Sequence, residues 1–173
     1  MTPAELELRL VTGMARKAVD ELAPGISGSP QLIAHLLELA AGPRRPKNSK
    51  AAYLVRHICE YDRTSLSTHG DAVLKAMDHA EHPGVRRDML KVCLLLNNPE
   101  LFDTLADRCL LYLRRPGEAT GVKYYSMMVL KHVVVRWPEL IPEFTETLSS
   151  QLGLVTDAFD RNARKLISKL EQA

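Results

Sequence analysis

Two short residue pairs recur in this chain at the spacing of a helical repeat. Val85-Arg86 opens one apolar helical pattern, and Val122-Lys123 opens another 37 residues later. Leu66, Leu101 and Leu140 open the partner patterns, 35 and 39 residues apart. A period in this range corresponds to a helical hairpin. A single hairpin leaves an apolar face uncovered, and stacking the next one on it builds a continuous core. The spacing therefore predicts an all-α chain of stacked antiparallel hairpins. No alternating strand pattern of useful length opposes it. The most strand-like stretch, Val133-Val134-Val135, sits inside a helical pattern.

The core residues suit helices. Aromatic residues make up only 5% of the chain, so Leu, Val, Ile, Met and Ala must fill the interior. At 173 residues the chain is long enough for one domain with a sizeable core. A formal net charge of +2 is too small to imply nucleic acid by itself. The segment Met1-Thr2-Pro3-Ala4-Glu5-Leu6-Glu7 is acidic and lacks the apolar stretch of a secretory signal. No apolar run approaches the roughly 18 residues that span a bilayer. Cys59, Cys93 and Cys109 form an odd set without a CxxC spacing and lie among apolar neighbours. Cysteines in that setting act as small hydrophobes, and a reducing cytoplasm suits them.

Punctuation by Pro, Gly and capping residues divides the chain. Thr2-Pro3 with Glu5 starts a helix expected to run from Pro3 to about Leu22, with Leu6, Leu10, Val11, Met14, Ala18 and Val19 inward. Pro24-Gly25 is expected to end it. Ser29-Pro30 starts a second helix that reaches Ala41, and Gly42-Pro43 stops it. Gly42 to Asn48 reads as a linker. Three hairpins are then expected over 49–152: Ser49–Tyr61 with Leu66–Ala80, Pro83–Asn97 with Pro99–Arg114, and Ala119–Arg136 with Pro138–Leu152. Residues 1–42 form an N-terminal capping hairpin and 156–171 a C-terminal capping helix, giving about nine helices in one domain over 1–173.

The openings Pro83-Gly84-Val85-Arg86 and Thr120-Gly121-Val122-Lys123 resemble the start of the first helix in HEAT-type repeats. There a Pro or small residue precedes a Val–Arg pair. Asn98-Pro99-Glu100-Leu101 and Trp137-Pro138-Glu139-Leu140 resemble the turn into the second helix. The first hairpin, opening on Lys50-Ala51-Ala52, lacks the signature. As a whole the chain resembles small single-domain HEAT-like proteins of bacteria, of armadillo type. The resemblance implies an α-α superhelix and a binding or scaffold role, and it carries over no catalytic residue.

Candidate chemistry is sparse. Asp78-His79-Ala80-Glu81-His82 is the densest group of metal-capable residues, but it lacks the HExxH order and a third ligand. It reads as a solvated helix end. His57 and Cys59 are two apart and point to different helix sides. The Gly25–Ser29 stretch lacks both GxxxxGK[ST] and GxGxxG, and reads as a helix-cap loop. No catalytic residue, metal or cofactor is expected.

Charge is more informative. The first helices of the last two hairpins carry Arg86, Arg87 and Lys91, then Lys123, Lys131 and Arg136. The second helices carry Glu100, Asp103 and Asp107, then Glu139, Glu143 and Glu146, and the split is imperfect because Asp88 sits in a first helix and Arg108 and Arg114 in a second. In HEAT-type stacks the second helices line the concave face. This predicts an acidic inner surface, which disfavours phosphate backbones and favours a basic protein or peptide. Asp103, Asp107, Glu139, Glu143 and Glu146 are the expected partner-binding residues of a non-enzymatic interaction or scaffold module. The alternative is a HEAT-like DNA-binding or repair protein that uses the basic helices, with Arg44, Arg45, Lys47 and Lys50 in the linker region and Arg161, Arg164, Lys165 and Lys169 near the end, the last group diluted by Asp157, Asp160 and Glu171. The lone tryptophan, Trp137, is expected to pack at its turn.

Overall fold

Helix starts are set locally in this chain. Thr2 and Glu5 form a reciprocal capping box: the Thr2 hydroxyl accepts from the Glu5 N–H, and the Thr2 N–H donates to Glu5 Oε2 at 2.6 Å. Ser29, Asn98 and Thr156 each accept from an amide of the first turn that follows, and a proline opens the helix after Ser29 and after Asn98. These contacts satisfy N–H groups that no helix can satisfy internally. The computed structural model describes residues 1–13, 15–43 and 46–172. Met14, expected in the first apolar stripe, and Arg44 and Arg45, expected in the basic linker, lie outside the described residues.

Secondary structure among the described residues is all helical, with ten α-helices and two short 3-10 turns. Contacts gather in two compact units, Met1–Asn97 and Asn98–Ala173. The first unit holds α1 (Pro3–Thr12), α2 (Arg16–Ser27), α3 (Pro30–Ala41), α4 (Lys47–Tyr61), α5 (Gly70–Asp78) and α6 (Pro83–Leu96). In it α2, α4 and α6 pack side by side as one layer, and α3 and α5 form a second layer against them. The second unit holds α7 (Pro99–Arg114), α8 (Thr120–Arg136), α9 (Ile141–Gln151) and α10 (Asp157–Glu171). There α7 packs on α8 and on α9, and α10 packs on α9 and α8. The predicted hairpin over 83–114 is thus divided, its first helix in one unit and its second in the other.

Each unit has an aliphatic core. Leu6, Ile33, Leu36, Leu54, Ile58 and Leu66 are fully buried in the first, and Leu105, Val122, Phe144 and Leu148 are buried in the second. Each such side chain contributes about 1.5–3 kcal/mol by leaving water. Leu6 belongs to the expected inward stripe of the first helix, and Leu66 and Val122 to the expected helix openings.

Several expected boundaries are corrected. The single helix over 3–22 is two helices, because Gly13 adopts φ +114°, a conformation that side-chain-bearing residues rarely take. Val11, expected inward, is exposed. The second of these helices does not stop at Pro24-Gly25 but runs through them to Ser27, so Gly25, Ile26 and Ser27 are helical rather than loop. Leu22, Ala23 and Ile26 are buried around the proline. Packing of that face outweighs the hydrogen bond that Pro24 cannot donate. Ser49 does not cap α4, which starts at Lys47. Asn48 is the buried residue there, donating from Nδ2 to the Gly42 carbonyl at 3.1 Å while its Oδ1 accepts from the Ser49 N–H at 2.7 Å. The expected helix over 66–80 is shorter, with a 3-10 turn at Arg63–Leu66 before α5, and a second 3-10 turn at Pro138–Leu140 precedes α9.

Candidate binding surfaces

The repeated pairs have a shared structural role. Val85 and Val122 are fully buried, as expected for a core-facing first turn. The cations that follow them are buried too, at 9% exposure for Arg86 and 5% for Lys123. Arg86 Nη1 donates to the Ala80 carbonyl at 2.6 Å and the Glu81 carbonyl at 3.4 Å, just past the end of α5. Lys123 Nζ donates to the Leu113 carbonyl at 2.9 Å, in the last turn of α7, and to Gln151 Oε1 at 2.6 Å. Lys123 thus holds a carbonyl in the last turn of the preceding helix, where orphan acceptors and the negative end of the dipole favour it, and Arg86 holds two carbonyls of the chain just past its preceding helix. Neither residue therefore adds to the exposed basic charge of the first helices.

The densest polar network knits α2, α4 and α6. Arg56 lies over the Tyr53 ring at 4.8 Å, with Nε 3.4 Å from Asp88 Oδ1 and Nη1 2.5 Å from Glu60 Oε1. Asp88 is buried and also accepts from Arg87. Burial pushes the Asp88 carboxyl above the usual carboxylate range, against the pull of Arg87 and Arg56. Arg56 Nη2 lies 2.9 Å from His57 Nε2. A guanidinium only donates, so Nε2 is the acceptor and the ring proton sits on Nδ1. Nδ1 faces Glu60 at 3.4 Å and Asp20 at 3.5 Å. Burial and then the Arg56 charge lower the His57 pKa, outweighing these two carboxylates.

The sign of the linkage follows. The folded state binds a proton at His57 less readily than the unfolded chain does, so stability falls as pH drops through about 6.5. Replacing His57 by Gln is expected to flatten the stability profile between about pH 7.5 and 5.5, measured by urea unfolding at each pH. An unchanged slope would rule out this role for His57.

The five predicted acidic residues all belong to the second unit, and the structure divides them. Asp103 pairs with Arg136 at 3.3 Å, and Glu143 pairs with Arg114 at 2.7 Å. Asp107, Glu139 and Glu146 are exposed and have no ion-pair partner among the described residues. Asp103 and Asp107 are one turn apart on α7, as are Glu143 and Glu146 on α9, so each pair shares a helix face. The basic set is similarly thinned. Arg86 and Lys123 are internal, Arg136 is paired, and Arg87 lies against Asp88. In the linker group, Lys47 bonds Glu7 Oε2 at 2.6 Å and Lys50 reaches the Val11 carbonyl at 3.5 Å. Lys131, Arg161, Arg164, Lys165 and Lys169 have no ion-pair partner among the described residues, and all lie on α8 and α10.

The family model of the HEAT repeat domain matches the chain over residues 6–169. The chain belongs to the HEAT repeat family. Comparison with curated proteins and with solved structures gives no match. The HEAT repeat assignment accounts for the Val85-Arg86 and Val122-Lys123 openings and supports an interaction or scaffold role. Among the described residues, no helix of this HEAT repeat protein is long and apolar enough to cross a membrane.

The remaining candidates take structural positions. His79 caps the end of α5 with Nδ1 2.8 Å from the Lys75 carbonyl, and His82 Nδ1 accepts from the Gly84 N–H at 3.0 Å at the start of α6. Among the described residues no group of three or more His, Cys, Asp or Glu side chains is placed to hold a metal ion. The three cysteines are buried free thiols, and burial pushes Cys59 up to about 11 and Cys109 up to about 12. Trp137 departs from its expected packing role, with 44% of its surface exposed at the end of α8. Val135, two residues before it, is 78% exposed.

Proposed function

We propose that this HEAT repeat chain is a non-enzymatic cytoplasmic module that docks a basic segment of a protein partner on the α7–α9 side of its second unit. The observation that carries this reading is the sorting of unpaired charge. Asp107, Glu139 and Glu146 keep unneutralised carboxylates on α7, the turn between α8 and α9, and α9, whereas the unpaired cations Lys131, Arg161, Arg164, Lys165 and Lys169 lie on α8 and α10, although α10 also carries the exposed Asp157 and Glu171. Exposed carboxylates raise the encounter rate with a basic partner and fix its register. Trp137 borders Glu139 in the chain and offers an exposed aromatic face for a cation or an apolar anchor. Asp103 and Glu143 hold Arg136 and Arg114, and in this reading they shape the surface more than they attract the partner. The buried free cysteines accord with a reducing compartment. The DNA-binding alternative has fewer cations to draw on, because Arg86 and Lys123 are buried and Lys47 and Arg136 are paired with Glu7 and Asp103.

The test is affinity capture from the native cell with the wild-type chain and with Asp107, Glu139 and Glu146 all changed to Lys. The reversed variant leaves the Asp103–Arg136 and Glu143–Arg114 pairs intact and is expected to lose the captured partners. Capture of the same partners in undiminished amounts would overturn the reading.

A further inference from the structure

A separate surface of the second unit suggests a second class of ligand. Between α8 and α10 lies a groove of about 220 Å³. Lys131 lines it from α8, and Lys165 and Lys169 line it from α10. These three ammonium groups have no ion-pair partner among the described residues. Lys165 and Lys169 are one turn apart and so share a face. The floor is apolar: Met127 and Leu166 are buried, and Met128 is half-buried. Methionine side chains adapt to the shape of an inserted group.

We propose that this groove binds an acidic peptide segment of a partner protein, seating one apolar side chain on the methionine floor with glutamates or aspartates against Lys131, Lys165 and Lys169. The charge complementarity selects carboxylates, and the floor selects a ligand with an apolar anchor among them. A phosphate backbone offers no group for that floor. A strand held by base stacking would need a free aromatic platform. The aromatic ring lining the groove, Tyr124, is already packed edge-on against Tyr125 at 5.2 Å. The carboxylates of α7 and α9 play no part in this inference, so the acidic surface and the basic groove stand or fall separately.

The experiment is fluorescence anisotropy of the full chain with a short labelled peptide in which glutamates flank a pair of leucines. Saturable binding at low salt is expected. Lys131→Glu, Lys165→Glu and Lys169→Glu combined are expected to weaken it at least tenfold, roughly the effect of reversing several interface charges. The matching Lys→Arg variant is expected to retain it, and circular dichroism checks that both variants keep their helix content. Should the reversed variant lose helix content, Lys165→Gln with Lys169→Gln replaces it. Changing the peptide leucines to serine is expected to weaken binding by about tenfold, the effect of losing one buried apolar side chain. Three results would overturn the proposal: no binding of the acidic peptide, equal binding of the serine peptide, or tighter binding of a duplex oligonucleotide through the same lysines.

Discussion

Replacing Asp88 by alanine is expected to destabilise the first unit by about 3 kcal/mol, the effect of removing one partner from a buried ion pair. The cost arises from what is left behind. Arg56 keeps only 12% of its side chain exposed, and Asp88 is its counter-charge on α6. Glu60 and the Tyr53 ring still attend the guanidinium, but both belong to α4 itself. Without Asp88 the link from α4 to α6 loses its polar half. The carboxylate is itself held at a disadvantage, since burial raises its pKa. A raised folded pKa contributes stability that is present below pH 3.8 or so and lost as pH rises through the folded value. The net attraction of the pair is therefore modest, while the penalty for stranding Arg56 is not. Asp88→Asn keeps an acceptor for the two arginines and is expected to cost clearly less than alanine. Urea midpoints at an unchanged denaturant slope measure both variants. Equal stability of Asp88→Ala and wild type would show that Arg56 finds water or Glu60 without cost.

Lys123→Ala is expected to destabilise the second unit by about 2 kcal/mol. Two charge-assisted hydrogen bonds disappear, and the Leu113 carbonyl and Gln151 Oε1 lose their donor. Taken alone, two such bonds suggest a larger figure. Burial opposes them, lowering the Lys123 pKa even though Glu118 pulls the other way. The desolvation already borne by the ammonium is recovered when it is removed. Lys123 joins α8 to both α7 and α9, so its loss is expected to speed exchange of amides in α9 as well as to lower the unfolding midpoint. Wild-type exchange rates across α9 in the variant would contradict the role assigned to Lys123.

What was legible in the sequence depended on range. Thr2, Ser29, Asn98 and Thr156 mark helix starts because a capping side chain acts within three residues of itself. The inward stripe of α1 at Leu6 and Leu10 was readable for the same reason, through a fixed helical period. The run of α2 through Pro24 was not, because the burial of Leu22, Ala23 and Ile26 that sustains it is a tertiary effect. Nor was the engagement of Asp103 by Arg136 or of Glu143 by Arg114, partners that lie 33 and 29 residues apart. The burial of Arg86 and Lys123 left a faint signal: a cation directly after a buried valine at the same register in two repeats. A basic residue in a helical pattern otherwise reads as solvent-facing. The groove of Lys131, Lys165 and Lys169 joins helices whose separation in the chain gives no hint of contact.

The grip of Arg86 and Lys123 on carbonyl groups explains how faint the repeat is. A clamp that closes on main chain asks for a helix end in the right place and is indifferent to the side chains that helix carries. Asn48 reaches the Gly42 carbonyl at the foot of α3 with a different side chain, so even the gripping residue is replaceable. Sequence drift at exposed positions therefore leaves each clamp intact as long as the carbonyl it holds stays in place.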